Sequence, residues 1–307
     1  MVCGSKFPIF TENFTDMIIL SNDILTISVK ERGAELAGIT KGDKQYLWQA
    51  DPVFWGRHSP VLFPIVGSVW NSRYRADGRE YQMGQHGFAR DMDFVLVSSS
   101  ADEVRYRLES SEETMVNYPW PFILEIGYRL RGNMIDVIWE VENPSEADIF
   151  FQIGAHPAFY YPDYDPQSID RGYLSFEGKE ILECIRLREK GCVDVDDKYP
   201  LVLPENGLLP LTSETFDPID TIILQDSQVS KVTLHRQDGS PWLALSFDAP
   251  VVGIWSPPGM NAPFICIEPW YGRCDRAEYD GDYRDRDWVN RLEPGEKFSS
   301  LYTIEIF

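Results

Sequence analysis

Short stretches in which apolar and polar residues alternate follow one another along this chain. In MIDVIWEVEN (134–143), every second residue from Ile135 to Val141 is apolar, while Asp136 and two glutamates point to the opposite side. A period of two is typical of a strand that buries one face and wets the other. Further runs of this kind are DILTISVKE, EVRYRLESS, FILEIGYRLRG, KVTLHRQDG, WLALSFDAP and LYTIEIF. The pattern therefore predicts strands along most of the chain.

Turn-forming residues separate these runs. RGN at 131–133 joins two of them and predicts a tight hairpin, and ADG at 76–78 and QDG at 237–239 are similar breaks. No long stretch carries a 3.6-residue amphipathic repeat, so helix should be scarce. Many short strands punctuated by Gly and Pro predict an all-β fold, either a sandwich or a barrel.

No composition break divides the chain into separate units. Prolines bunch around 157–166 and 200–210, which indicates long loops rather than a linker. Residues 272–291 are dense in both signs of charge and predict a solvated loop with local ion pairs. We expect a single domain over residues 17–307, preceded by a loose N-terminal extension of residues 1–16.

Composition narrows the classes of partner. The 307 residues are 43% hydrophobic, which is ample for a core, but their formal net charge is −21. Nucleic acid is an unsuitable partner, because its phosphates require a basic surface. The five cysteines are odd in number and match no zinc spacing, which is typical of reduced thiols. Without a signal-peptide pattern or an apolar run of about 18–20 residues, we expect a cytoplasmic protein with no membrane partner.

Polar residues interrupt the apolar runs at three loop-like places. These islands are GQHGFARD (84–91), GAHPAF (154–159) and FICIEPWYGRCD (264–275). Each sets one titratable residue, His86, His156 or Glu268, among Gly, Pro and aromatic residues. A histidine there is most simply structural or exposed. A carboxylate in so apolar a segment is costly to bury unless it is paired, so Glu268 is a candidate general base.

Several established motifs are missing from the sequence. There is no H-x-x-x-H and no paired Cys/His spacing, so no metal site is expected. There is also no P-loop, no G-x-G-x-x-G and no G-x-S-x-G. Nucleotide cofactors and serine-hydrolase chemistry are therefore not expected.

The islands occur within longer matching elements whose order is informative. These elements are FWGRHSPVLFPIVG (54–67), RADGREYQMGQHGFARD (75–91), YPWPFILEIGYRL (118–130), FFQIGAHPAF (150–159) and FICIEPWYG (264–272). In this order they resemble the aldose 1-epimerase (galactose mutarotase-like) family, and most closely its shorter, LacX-like bacterial branch. The resemblance implies a large antiparallel β-sandwich (supersandwich). It also implies an isomerase that interconverts the α and β anomers of a free hexose without a cofactor.

The resemblance also implies roles for single residues. Glu268 resembles the base that takes the proton of the C1 hydroxyl, and His156 resembles the acid that protonates the ring oxygen O5. His86 resembles a second histidine that hydrogen-bonds the sugar near O5, and Asp220 resembles an aspartate that binds sugar hydroxyls. A carboxylate and an imidazolium are expected here, separated by the width of a pyranose, each favouring the charged form of the other.

Further residues are candidates for sugar binding. Trp270 offers an aromatic face for the C–H side of a sugar. Arg90 could bind a hydroxyl or a phosphate. The branch often has an arginine where this chain has Ser68, and Arg73 or Arg57 could replace it.

Other readings remain open at this point. A hexose-6-phosphate mutarotase would use Arg57, Arg73 and Arg90 as phosphate ligands. A carbohydrate-binding protein could retain the fold without turnover. A glycoside hydrolase would need two carboxylates across a glycosidic bond, with Asp220 and Glu268 as the pair to test. In each case the partner is a small-molecule sugar, and the chain is expected to be a monomer or a homodimer.

Overall fold

The structure is a computed structural model that describes residues 17–307. The N-terminal extension predicted for residues 1–16 lies outside the described residues. The first strands in chain order are β1 (Met17–Ser21), β2 (Thr26–Lys30), β3 (Leu36–Lys41), β4 (Lys44–Gln45), β5 (Val61–Leu62), β6 (Arg73–Ala76), β7 (Arg79–Gln82), β8 (Val95–Ser99), β9 (Glu103–Glu109), β10 (Ile123–Arg131), β11 (Met134–Glu142), β12 (Ile149–Phe151) and β13 (Ile153–Ala155). The remaining strands are β14 (Ala158–Tyr160), β15 (Asp170–Gly178), β16 (Leu182–Leu187), β17 (Val193–Leu201), β18 (Leu209–Thr212), β19 (Thr221–Leu224), β20 (Val229–His235), β21 (Pro241–Phe247), β22 (Val251–Trp255), β23 (Phe264–Tyr271), β24 (Asn290–Leu292) and β25 (Lys297–Ile306).

Helix is scarce within the described residues. There is one short α-helix, α1 (Glu112–Asn117), and Ser111 caps its first turn by accepting a hydrogen bond from the Thr114 backbone N–H. Single turns of 3-10 helix lie at Trp70–Ser72, Ala89–Asp91, Glu189–Gly191 and Tyr283–Asp285. The prediction of an all-β fold with little helix is confirmed.

Two large antiparallel sheets dominate the fold. The nine-stranded sheet has the order β18-β15-β20-β21-β25-β11-β10-β9-β8, and the other has the order β17-β16-β19-β22-β23-β13-β5. Strand β14 also pairs with β23, along its first residues, whereas β13 pairs with its last residues. A four-stranded sheet (β1 to β4) and the pairs β6-β7 and β12-β24 complete the structure.

The main core joins the facing sides of the two large sheets. Ile126 and Val137 from the nine-stranded sheet belong to the same buried cluster as Ile254, Ile265 and Ile267 from the other. Because side chains alternate along a strand, the even-numbered residues of β23 point to the opposite side, away from this core. That outer side of β23 carries the candidate site.

The hairpin predicted at 131–133 is present, with one exception in its polarity pattern. Strands β10 and β11 pair from Arg131↔Met134, and Gly132 occupies the turn with φ of 60°. Asp136, expected on the wetted face, is only 3% exposed. Its carboxylate accepts two hydrogen bonds from the Arg131 guanidinium, both 2.6 Å long, and one from the Thr303 hydroxyl. These partners cover the carboxylate and compensate for its loss of water.

The charged segment 272–291 was expected to be a solvated loop, and that prediction is wrong in part. It does contain ion pairs, but Arg273, Asp275 and Arg286 are at most 5% exposed. The Arg286 guanidinium donates to Asp275, and the second carboxylate oxygen of Asp275 accepts the backbone N–H of Trp70. The segment therefore packs into the fold through paired charges. No helix within residues 17–307 is long and apolar enough to cross a membrane.

Candidate active site

A cavity of about 440 Å³ opens on the outer side of the sheet that contains β23. Its walls combine aromatic, charged and small residues. The lining residues are Trp55, Gly67, Gln85, His86, Arg90, His156, Leu187, Arg188, Gly191, Asp220, Thr221, Ile223, Trp255, Glu268, Trp270 and Cys274. The structure therefore brings together six of the seven site residues predicted from the sequence.

Arg73 is the predicted residue that does not reach this cavity. Its guanidinium is 58% exposed and pairs with Glu80 at 3.2 Å. It lines a separate, larger cavity of about 610 Å³ beside Trp70 and Tyr279. That cavity contains no histidine and no buried carboxylate among its lining residues. Arg73 is removed from the set of candidate sugar ligands.

Glu268 lies in the middle of the fully buried part of β23. Its neighbours in sequence, Ile267 and Pro269, face the core side, and Gly253 of β22 lies opposite Glu268 in the register. The side chain is 2% exposed, and its Oε2 has no hydrogen-bond partner within residues 17–307. A buried, incompletely bonded carboxyl oxygen that lines a cavity is well placed to meet a ligand.

Trp270 lies flat beside Glu268 because both neighbouring strands have a glycine there. A Cβ at Gly253 would come within 2.3 Å of the Trp270 ring, and a Cβ at Gly154 within 2.7 Å. Gly154 also pairs directly with Trp270 across β13 and β23. The two glycines therefore provide the space in which the indole ring forms part of the cavity wall.

His156 lies between β13 and β14, which both pair with β23. Its backbone N–H donates to the carbonyl of Pro60 at 3.1 Å. Its imidazole stacks on Trp55, with ring centroids 4.7 Å apart, and meets the edge of Trp255 at 5.5 Å. Two tryptophans thus fix the ring plane, and 8% exposure keeps the ring nearly dry.

His156 and Glu268 are in direct contact. Nε2 of the imidazole is 3.3 Å from Oε2 of the carboxyl group. Burial raises the pKa of Glu268 well above its usual value, and the negative charge of Asp220 acts in the same direction. Burial also lowers the pKa of His156 to about 3. The protein without ligand therefore favours a neutral carboxylic acid beside a neutral imidazole.

This arrangement corrects two expectations. The two groups are not separated by the width of a pyranose, and neither group favours the charged form of the other strongly enough to overcome burial. Removal from water penalises both charges and shifts the pKa of each group towards its neutral form. In this state the two groups hold one titratable proton, and it lies on Glu268.

His86 has a defined tautomer. Its Nδ1 accepts the backbone N–H of Gly67 at 3.0 Å, and its own backbone N–H donates to the Gly67 carbonyl at 2.8 Å. With Nδ1 accepting, the neutral ring carries its proton on Nε2. Burial lowers the pKa of His86 well below its usual value, and the nearby His156 acts in the same direction. The ring is therefore a neutral donor that lines the cavity, with its centroid 5.5 Å from that of His156.

The local backbone explains why His86 is followed by glycine. A Cβ at Gly87 would lie 2.2 Å from the carbonyl oxygen of Phe63. The backbone N–H groups of Phe88 and Ala89 both donate to that same oxygen. This turn anchors His86 against β5 and its following loop, while φ of 65° directs the histidine towards the cavity.

Two arginines and an aspartate form the polar part of the wall. Arg90 donates to the carbonyl of Gln85 at 2.7 Å, and burial lowers its pKa to about 10. Arg188 follows β16 and pairs with Asp197. Asp220 is exposed at the end of a loop and accepts the Thr221 hydroxyl at 2.7 Å. This part of the wall can exchange hydrogen bonds with a polyhydroxylated ligand.

Three of the lining residues that sequence reasoning did not single out are notable for their side chains. Trp55 and Trp255, which hold His156, come from FWGRHSP and GIWSPPG, where each reads as an ordinary apolar residue. Arg188 comes from a charged turn with no local signal. Trp55 could have been noticed, because it lies within an element that resembles the family. Trp255 and Arg188 reach the cavity only through strand pairing.

The structure also brings together a group that could hold a metal ion. Donor atoms of His156, Cys266 and Glu268 lie within 4.8 Å of one another, and all three residues are buried. Cys266 and Glu268 share the outer side of β23, two residues apart, while His156 arrives from another strand connection. The spacing rules applied to the sequence could not find this set.

Comparisons with known proteins agree with this fold. The family model described as aldose 1-epimerase matches residues 16–304. The chain is 32% identical to the LacX proteins of Lactococcus lactis, one chromosomal and one plasmid-encoded, over 94% of this chain and 99% of theirs. A solved structure of a galactose mutarotase related enzyme from Lactobacillus acidophilus is 30% identical, with a TM-score of 0.87 over 95% of this chain and 97% of that one. A galactose mutarotase-like protein from Lactobacillus casei gives the same identity and TM-score over 95% and 100%.

Proposed function

The chain belongs to the aldose 1-epimerase family, and we propose that it is a mutarotase that interconverts the α and β anomers of a free hexose. The observation that carries the proposal is the 3.3 Å contact between Nε2 of His156 and Oε2 of Glu268 at the cavity wall. Mutarotation moves one proton between O1 and O5 of the sugar. Because both oxygens are bonded to C1, the acid and the base must lie side by side.

In the proposed mechanism, Glu268 takes the proton from O1 while protonated His156 gives a proton to O5. The C1–O5 bond breaks, C1=O1 forms, and the ring opens. Rotation about C1–C2 followed by the reverse steps yields the other anomer. The neutral pair reaches the required ionised form when Glu268 passes its proton to His156, and hydrogen bonds from sugar hydroxyls to the carboxylate favour that transfer.

The surrounding residues have supporting roles in this proposal. Nε2–H of His86 donates to a sugar oxygen near the reacting centre. Asp220 accepts from hydroxyls at the cavity mouth, Arg90 donates to them, and the Trp270 ring covers a C–H face. No step requires a cofactor.

The test is anomer exchange measured by polarimetry or saturation-transfer NMR with glucose, galactose and glucose 6-phosphate. We expect acceleration of a free hexose, and a loss of roughly 10²–10⁴-fold in Glu268→Gln and in His156→Asn. Sugar binding, measured by calorimetry, should persist in both variants. His235→Asn, which alters a histidine bonded to Ser175 outside the cavity, is the matched control and should retain the rate.

Other outcomes decide between the alternatives. Binding without exchange would support a non-catalytic carbohydrate-binding protein. Exchange of glucose 6-phosphate alone would support a phosphosugar mutarotase, for which Arg90 and Arg188 are the arginines that line the cavity. In that case Arg90→Ala should raise KM for the phosphorylated sugar. Wild-type rates in both Glu268→Gln and His156→Asn would overturn the acid–base assignment.

A further inference from the structure

We propose that His156, Cys266 and Glu268 bind one divalent cation of zinc-like character, and that the bound ion blocks anomer exchange. This second statement rests on the proposed function, whereas the binding itself does not. His156 and Glu268 line the cavity; β23 presents Cys266 and Glu268 on one side, and His156 lies in the β13–β14 connection.

The distances are close to those of a three-ligand metal site. Zinc binds sulfur at about 2.3 Å and nitrogen or carboxylate oxygen at about 2.0–2.2 Å, so tetrahedral ligands lie roughly 3.3–3.7 Å from one another. Nε2 of His156 and Oε2 of Glu268 are already 3.3 Å apart. All three donor atoms lie within 4.8 Å of one another, so small side-chain rotations would bring Cys266 Sγ into range.

The choice of donors determines the kind of ion. A thiolate, an imidazole and a carboxylate together suit zinc and related transition metals, whereas magnesium and calcium prefer sets made only of oxygen. Three protein ligands leave a fourth position, and two of the three ligands, His156 and Glu268, line the cavity. Such an open coordination site is typical of zinc centres that can also bind water or a small ligand.

A second observation separates this set from ordinary core packing. Cys266 packs with Trp48, Ala158 and Phe264, which by itself would account for a buried thiol. Glu268, however, is 1% exposed, and its Oε2, 3.3 Å from Nε2 of His156, has no partner with hydrogen-bond geometry within residues 17–307. Burying an unpaired carboxyl oxygen is unfavourable, and a cation at this point would satisfy it.

Occupation of the site is incompatible with the proposed chemistry. The ion would hold Oε2 of Glu268, the proposed base, and Nε2 of His156, the proposed acid. On binding, the thiol and carboxyl protons leave to the solvent, because thiolate and carboxylate are the binding forms. The pair would then have no proton to exchange with the sugar.

The binding experiment uses cobalt(II) as a spectroscopic probe in place of zinc, with metal-free protein and no sugar. We expect one equivalent of Co²⁺ to give the visible absorption of a tetrahedral site and a thiolate charge-transfer band, both abolished by one equivalent of Zn²⁺. Cys266→Ala should lose the charge-transfer band. The matched control is Cys184→Ala, which removes a buried thiol in β16 that is not part of the group.

The inhibition experiment measures anomer exchange at increasing Zn²⁺, with a chelator to reverse the effect. Cys266→Ala should keep the basal rate but require at least about tenfold more Zn²⁺ for half inhibition, since even outer-shell changes cost metal sites 10–100-fold. Cys184→Ala should behave as the wild type, and Cys266→Ser serves if the alanine variant is unstable.

The two experiments fail in distinguishable ways. No Co²⁺ spectrum in the wild type, or an unchanged one in both Cys266 variants, would overturn the metal site whatever the enzyme does. A Cys266-dependent spectrum in a protein without anomer exchange would sustain the metal site and overturn the mutarotase proposal. A Cys266-dependent spectrum together with full activity in the metal-loaded protein would overturn the blocking role.

Discussion

At the scale of single residues, the protonation of His156 and Glu268 governs the chemistry proposed for them. Their contact at 3.3 Å makes them one titrating unit that holds two, one or no protons. The proposed mechanism needs the state with one proton, whichever partner carries it. Burial lowers the pKa of His156 and raises that of Glu268. The state with one proton is therefore populated over a wider pH range.

A flat pH profile should result. We expect kcat/KM for the preferred hexose to stay level as pH falls through 6.5, the ordinary histidine value, and to decline only towards the lowered pKa of His156, about 3. The measurement is the anomer exchange rate, followed by NMR from about pH 4 to pH 8. An ordinary histidine would titrate within this range. A midpoint near 6.5 that vanishes in His156→Asn would contradict the description of the pair.

The same burial means that Glu268 lowers the free energy of unfolding at neutral pH. The unfolded state ionises this carboxyl group above its ordinary pKa of 4.5, whereas the folded state keeps the proton to much higher pH. Unfolding then releases a proton, so the contribution of Glu268 to the free energy of unfolding falls as pH rises above 4.5.

Glu268→Gln should therefore melt at a higher temperature than the wild type at neutral pH, while its turnover is lost. The gain in Tm should shrink as the pH approaches 4.5, which calorimetry at several pH values would measure. Glu177→Gln, a change at an exposed carboxylate, is the control and should leave Tm unchanged. A lower Tm for Glu268→Gln at neutral pH would show that the carboxylate is stabilised in the folded protein.

At the scale of elements, the site depends on which residues adjacent strands place opposite one another. Gly154 and Gly253 lie in the two strands that flank β23, and both leave space for the Trp270 ring. The alternating pattern of the sequence predicted the strands but gave no register between them. Only the paired sheet therefore shows that these two glycines make room for the Trp270 ring.

Gly253→Ala should displace the Trp270 indole, because the added Cβ would lie 2.3 Å from the ring. Overpacking of this kind costs about 1–3 kcal/mol, so we expect a lower urea midpoint, altered tryptophan fluorescence and a raised KM for the hexose. Gly84→Ala adds a methyl group in open space and should change none of these. An unchanged KM in Gly253→Ala would separate Trp270 from sugar binding.

Turns and loops were predictable to different degrees. The break at RGN matched the β10–β11 hairpin because Gly and Asn suit a tight turn, a purely local property. The segment 272–291 was misjudged because the pairing of Asp275 with Arg286 covers both charges, and composition cannot reveal such a contact. Charge density alone does not distinguish a solvated loop from a packed one.

At the scale of the whole molecule, the net charge of −21 sets the long-range field around the cavity. A neutral hexose does not feel this field, whereas a sugar phosphate is repelled by it. Salt screens such repulsion over a Debye length of about 8 Å at physiological ionic strength. Raising the salt concentration should therefore raise kcat/KM for glucose 6-phosphate, if it is a substrate at all, and leave that for glucose unchanged.

The measurement compares steady-state rates for glucose and glucose 6-phosphate, each at low and at high potassium chloride concentration. A fall with salt for the phosphosugar alone would indicate that Arg90 and Arg188 dominate the local field, and would favour a phosphorylated substrate.

The sequence by itself determined the all-β class, the hairpin turns and the three islands that supply His86, His156 and Glu268, because periodicity, turn preference and motif order are local or linear properties. It could not determine that Arg73 lines a different cavity, that Trp55 and Trp255 hold His156, or that the Cys266 thiol lies close to His156 and Glu268. It also predicted charged forms of His156 and Glu268, whereas burial shifts the pKa of each towards its neutral form. Those features depend on strand register and on the exclusion of water, and both arise only when residues distant in the chain are packed together.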